Sequence, residues 1–281
     1  MLDTSDDTQY QFGRTVAERM ANRLQINVPG NGRNAKLREV IERVNADDEL
    51  YALWIAGNVN AVERLGMTDH GPVHVKIVMN IADKLFRLLT EYGVEPSAVK
   101  NYGMSLEDSE LIVALAALMH DVGMSIHRPD HETFSLFITQ RKVTELLEGI
   151  YDRATATVMR SEVLHAIIAH RSGGKPLTLE AGIVRVADAL DMAKGRSRIP
   201  FSGGSMSIHS VSAAAIEAVH IEPGETMPVR LRVELSNSAG IFQLDQLFRE
   251  KLAGSGIEPY VELEADFAGH EEKRIVERFR L

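Results

Sequence analysis

LMHDVGMSIHRPDHE, residues 118 to 132, decides how this chain reads. Leu111 to Met119 are apolar throughout, so the helix that delivers His120 and Asp121 has core on most of its sides. Gly123 reads as the helix stop, which puts Asp121 near a helix C-terminus, where the macrodipole is negative. A carboxylate buried there needs a cation, hydrogen bonds or a metal ion to compensate it. His127 and His131 follow just downstream.

The bulk of the sequence narrows what such a site can be. The 281 residues suffice for a full hydrophobic core and a second small domain. With 44% hydrophobic and 25% charged residues, the composition is that of a soluble globular protein. A formal net charge of -9 argues against broad nucleic-acid binding, which runs on basic surface. Cysteine is absent, which excludes disulfides, thiolate catalysis and Cys-zinc sites. The start, MLDTSDDTQYQFG, is polar and acidic, unlike a signal peptide, and no apolar run approaches the ~18 residues of a membrane span. These features predict a cytoplasmic protein.

Working outward, residues 1–12 read as disordered, 13–200 as a helical domain and 201–281 as a small α+β domain. Apolar spacing is helical in AKLREVIERV (Leu37, Val40, Ile41, Val44) and in HVKIVMNIADKLFRLL (Val75, Val78, Ile81, Ala82, Leu85). Pro72 suits the first position of the second of these helices. Residues 91–104 read mostly as connection. Ser105 with Asp108 predicts a capping box, and Asp130 a cap for a helix opening at His131. Further helices are expected over about 156–170 and 180–194, the latter stopped by Gly195. FSGGSMSIHS reads as a linker. AVHIEP, PVRLRVEL and YVELEADF alternate like half-buried strands, and AGIFQLDQLFREKLAGSG reads as an amphipathic helix between the last two. The fold class is therefore mostly α, with a β-β-α-β extension.

Other segments offer partners for His120 and Asp121. His74 falls on the inward stripe of its helix, in line with Val78 and Ala82, whereas His70 precedes that helix. His165 and His170 are five residues apart and cannot share a helix face, and His165 reads as structural. Asp188 lies at the edge of an apolar stripe, four residues after Val184, a costly place for an unpartnered carboxylate. Asp191 reads either as support for a ligand or as solvated.

The ordered set His74 (or His70), His120-Asp121, Asp188 resembles the H…HD…D signature of the HD superfamily of metal-dependent phosphohydrolases. HVKIVMNIA, ALAALMHDVG and IVRVADALD resemble the helices that carry that signature, and the likeness spans roughly residues 60 to 200. It implies an HD-type helical bundle. His131 in DHETFSL and His170 in AIIAHRSGG match two additional histidines of members that bind two metals. The resemblance thus implies a dinuclear site, with His74, His120, Asp121 and Asp188 on one ion and Asp121 bridging to His131 and His170 on the other. Imidazole with carboxylate suits zinc, iron or manganese, with magnesium also compatible. Met124 stands where cyclic di-GMP phosphodiesterases of the HD-GYP type have lysine, and no GYP motif follows, which argues against that activity.

Such a site suits hydrolysis of a small phosphoester, a nucleotide or related phosphate, by a metal-activated water. Alongside Asp121, His70 and His127 are candidates for handling protons. Arg128, Arg171, Lys194 and Arg198 are candidates for gripping substrate phosphate, although bases at helix ends also simply complement the dipole. The expected partner is a small phosphorylated substrate, with no long nucleic acid and no membrane. Strand edges in the extension make a homodimer plausible. Two alternatives stay open: a di-iron oxygenase like myo-inositol oxygenase, which uses the same ligand pattern, and a nucleotide-sensing regulatory protein.

Overall fold

The computed structural model describes residues 15–27, 32–193, 212, 215–267 and 278–280. Helices come first: α1 Val16–Ala21, α2 Ala35–Ala46, α3 Asp48–Asn58, α4 Pro72–Glu91, α5 Ser97–Tyr102, α6 Leu106–Met119, α7 His131–Leu146, α8 Arg153–Ala169 and α9 Leu179–Leu190. The chain is mostly helical, as its apolar periodicity predicts.

Helix α6 is the axis of the bundle. Leu111 to Met119 are all buried, with α2, α4, α8 and α9 packed around them. The expected capping box is present: the Ser105 hydroxyl accepts from Asp108 N, and the Asp108 carboxylate accepts from Ser105 N. Pro72 opens α4, whose inner stripe buries His74, Val75, Val78, Ile81, Ala82 and Leu85. Asp47 serves two helices, ending α2 and accepting from Leu50 N to start α3, while its second oxygen takes the buried Lys142 ammonium at 2.8 Å.

Several expectations need correction. Residues 91–104 contain the short helix α5, capped by the Glu180 carboxylate accepting from Ser97 N and Ala98 N. Helix α7 does open at His131, but Asp130 makes no side-chain cap; it takes a left-handed conformation at φ 60°. Gly123 does not stop α6 through a left-handed turn. It lies in a 3-10 turn, Val122–Ser125, where a Cβ would sit 2.0 Å from the His131 carbonyl oxygen. The glycine is required because α7 crosses there in contact with the backbone. The π-helical turn Val59–Arg64, which prolongs α3, was not foreseen.

The extension begins with β1 Ile216–Pro223 and β2 Val229–Leu235, followed by a tail helix made of Gly240–Phe242, a π turn Gln243–Phe248 and Arg249–Leu252. Then come β3 Val261–Phe267 and a short β4 Arg278–Arg280, beyond the three expected strands. The sheet order is β1-β2-β3-β4, with β2 and β3 parallel and the outer pairs antiparallel. The tail helix is the crossover that a parallel pair requires. Val229, Leu231, Val233 and Leu235 face inward, and α4 packs against β1 and β2. One apolar core therefore runs from the bundle into the sheet. Lys194, Gly195, Arg196, Arg198, the FSGGSMSIHS stretch and residues 1–12 lie outside the described residues.

Candidate metal centre

Four helix ends meet at one point. The start of α4 brings His74, the end of α6 brings His120 and Asp121, the start of α7 brings His131, and the end of α8 brings His170. Asp188 comes from the last turn of α9. His74, His120, Asp121, His131 and His170 are all buried.

The turn after α6 is held by its own carbonyls. The last carbonyls of a helix lack partners within it. Here the Trp54 indole donates to Leu118 O at 3.0 Å, the His120 ring to Ala117 O at 2.8 Å and the Ser135 hydroxyl to His120 O at 2.7 Å. Ser135 also accepts from Gly123 N, and the buried Asn60 amide, in the π turn, donates to Met124 O at 2.7 Å. The carboxylate of Asp121 is thus fixed between four imidazoles.

Each of those imidazoles turns its Nδ1 outward to an acceptor. The partners are Asp191 Oδ2 for His74 (2.6 Å), Ala117 O for His120, Arg128 O for His131 (3.0 Å) and Ile167 O for His170 (2.6 Å); the Arg128 guanidinium also lies 2.8 Å from His131 Nδ1. For His74, His120 and His170, a proton on Nδ1 leaves the Nε2 lone pair pointing inward, the tautomer a metal ligand needs. The Nε2 atoms of His74 and His120 both lie 3.4 Å from Asp121 Oδ2, and 3.6 and 3.7 Å from Asp188 Oδ1. On the other side, Asp121 Oδ1 lies 3.1 Å from His131 Nε2 and 3.7 Å from His170 Nε2. One carboxylate faces two pairs of histidines, each pair toward its own oxygen.

This donor set fits metal ions. His74 Nε2 and His120 Nε2 are only 3.1 Å apart, so neutral rings with outward protons set two lone pairs face to face. A cation between them and the two carboxylates removes that repulsion. Corners about 3.3 Å apart are those of a tetrahedron with ~2.0 Å metal-ligand bonds. Among the described residues, His74, His120 and Asp121 form one group that can hold an ion, and Asp121, His131 and His170 another.

The electrostatics agree. Burial pushes Asp121 up, but the imidazoles of His120, His131, His170 and His74 that face it outweigh this and hold the carboxyl well below its usual range. Asp188 is likewise pushed up by burial and pulled well below that range by His120, Lys251 and His170. Burial lowers His170, whereas at His131 burial is outweighed by Asp121 and Glu132, which raise it.

A cavity of about 450 Å³ opens onto this cluster. His70 lines it, with Nδ1 donating to Thr68 O at 2.7 Å and its ring 5.5 Å from that of His74. Arg128 lines it too, and Asp191 is both cavity wall and partner of His74. His127 is exposed and does not reach the cavity, because the turn after Ser125 carries it outward. Arg171 is also exposed, two residues beyond the end of α8, and its carbonyl accepts from Arg185 and from Gly174 N. His165 accepts from Leu177 N, in keeping with a structural role. The tail supplies Gln243, Phe248, Glu250 and Lys251 to the wall, none of them foreseen. An amphipathic pattern shows that a helix has an inner face, not that this face meets a site far away in the chain.

Comparison with known proteins agrees with this geometry. The HD domain model matches residues 72–193, which hold all six of these histidines and aspartates. An uncharacterized protein of Methanocaldococcus jannaschii, MJ1020, is 47% identical over 208 residues, covering 74% of this chain and 80% of its own length. Ribonuclease Y of Desulforudis audaxviator is 34% identical over 172 residues, 58% of this chain and 30% of that protein. Ribonuclease Y of Acholeplasma laidlawii is 23% identical over 232 residues, 77% of this chain and 40% of that protein. The chain belongs to the HD domain family, whose superfamily is one of metal-dependent hydrolases.

Proposed function

We propose that the protein is a metal-dependent phosphohydrolase that cleaves a small phosphoester, a nucleotide or related phosphate. The observation that carries this reading is the Asp121 carboxylate, with one oxygen toward His74 and His120 and the other toward His131 and His170. His74, His120, Asp121 and Asp188 would hold one divalent ion, and Asp121, His131 and His170 a second, as iron, manganese, zinc or magnesium. Bound there, such ions supply an activated water and charge neutralisation at the phosphoryl oxygens. The chain's own groups do the rest. The outward Nδ1 contacts keep each ligand ring aimed before substrate arrives. His70 stands on the cavity wall where it can take or return a proton, and Arg128 is placed to meet an anionic oxygen.

Two observations favour a small substrate over long nucleic acid. The cavity is about 450 Å³, and four of its side chains come from the tail helix that closes one side. The net charge of -9 argues against a broadly basic surface of the kind that long nucleic acid needs. The ribonuclease Y relatives make a short RNA the natural control. The test is release of inorganic phosphate or nucleoside by metal-loaded protein across a panel of nucleotides, beside a structured RNA and an oxygen-uptake assay. Turnover of a small phosphoester that vanishes in Asp121→Ala supports the reading. Cleavage of RNA alone, or oxygen uptake without hydrolysis, overturns it.

A further inference from the structure

Lys251 reaches the centre from outside the HD-matched region, which ends at residue 193. Its ammonium donates to the His170 carbonyl at 2.6 Å and stands 3.7 Å from Asp188 Oδ2. The side chain remains 21% exposed, on the wall of the cavity. An ammonium has three donors. The His170 carbonyl occupies one, and Asp188 is beyond hydrogen-bond distance, which leaves donor capacity at the cavity surface.

The lysine is also held in advance. Arg185, on α9 and only 2% exposed, donates to the carbonyls of Lys251 (3.0 Å), Glu250 (3.3 Å), Arg171 (2.6 Å) and Ala169 (3.2 Å). It ties the tail helix to the end of α8, next to His170. A second tie lies nearby, where a Cβ on Gly182 would sit 1.9 Å from the Ser255 carbonyl oxygen, so α9 and the segment after the tail helix touch backbone to backbone. Ser172 adds a hydrogen bond to Glu250 at 3.0 Å. A lysine with its backbone fixed this way loses less entropy on gripping a ligand than a surface lysine does.

The wall around it is strongly acidic, with Asp121, Glu132, Asp188, Asp191 and Glu250 against the cations Arg128 and Lys251. An anionic substrate needs a fixed cation beside those carboxylates. We infer that Lys251 anchors an anionic oxygen of the substrate phosphate, so that the C-terminal extension completes the active site. This rests on the phosphohydrolase reading and adds to it a residue from the tail.

The test is the affinity of full-length, metal-loaded protein for inorganic phosphate, by calorimetry, with metal content measured on the same samples. Lys251→Met should weaken phosphate binding about 10- to 100-fold, the range of a charge-assisted hydrogen bond, at unchanged metal content. Lys251→Arg should restore most of it. Should the methionine variant fail to fold, Lys251→Gln keeps a donor for the His170 carbonyl without the charge and should weaken binding similarly. Undiminished affinity in the uncharged variants overturns the inference and leaves the phosphohydrolase reading standing. Weaker binding accompanied by loss of metal also overturns it, and makes Lys251 a positioning residue for Asp188. Absence of phosphate binding by the native protein overturns both.

Discussion

His74 Nδ1 lies 2.6 Å from Asp191 Oδ2, joining the start of α4 to the end of α9 across the candidate centre. Asp191 sits where α9 ends, 9% exposed, and its carboxylate sets both the tautomer and the ring plane of His74.

Asp191→Ala should therefore lower metal affinity about 10- to 100-fold with the fold intact. Competition with a chelator measures this. Equal affinity in variant and native protein would mean that His74 needs no support.

His74→Ala should impair metal binding and turnover more than His70→Ala, because His74 points its Nε2 at Asp121 and Asp188 while His70 stays on the wall. Metal content and activity of the two variants check this; the reverse order would exchange their roles.

Gly123→Ala should destabilise the protein by about 2 kcal/mol or more, since the added methyl would overlap the His131 carbonyl oxygen at 2.0 Å and Ser135 N at 2.5 Å. Thermal melts with metal removed separate this effect from ligand loss. A variant as stable as the native protein would show that α7 can move away from the turn at little cost.

Asp83 supplies a pH prediction away from the centre. Burial raises its pKa to about 7; Arg87, whose Nε donates to it at 2.9 Å, opposes the rise and Glu110 adds to it. The unfolded chain releases this proton near pH 4 and the folded chain holds it to about 7, so this group's contribution to stability falls as pH rises through that window. Asp83→Asn removes the dependence. The stability difference, variant minus native, should become more positive between pH 4 and 8, by a few kcal/mol at most, roughly. Melts at four pH values check it, and a flat difference would contradict it.

Most of the bundle was legible because its signals are local. Ser105 with Asp108, Pro72 before His74, and unbroken apolar residues from Leu111 to Met119 each act within a few residues. The cluster was legible as far as a known signature orders residues along the chain. What sequence did not disclose depends on distant contacts. His127 seemed close to the centre because it is close in sequence, yet the 3-10 turn sends it to the surface. Gly123 looked like a helix stop, but its role is set by α7 crossing over it. Arg185 sat unnoticed in an apolar helix because its partners are carbonyls, which no side-chain pattern records. Lys251 gave no signal at all, since a parallel strand pair and its crossover return the tail helix to a site built by earlier helices.

The most direct measurement is metal content per chain by elemental mass spectrometry, on native protein and on His131→Ala, after purification without added metal and again after reconstitution. A site in which Asp121 is shared by two pairs of histidines predicts close to two equivalents in the native protein and one in the variant. No bound metal after reconstitution, or the same content in both proteins, would contradict it.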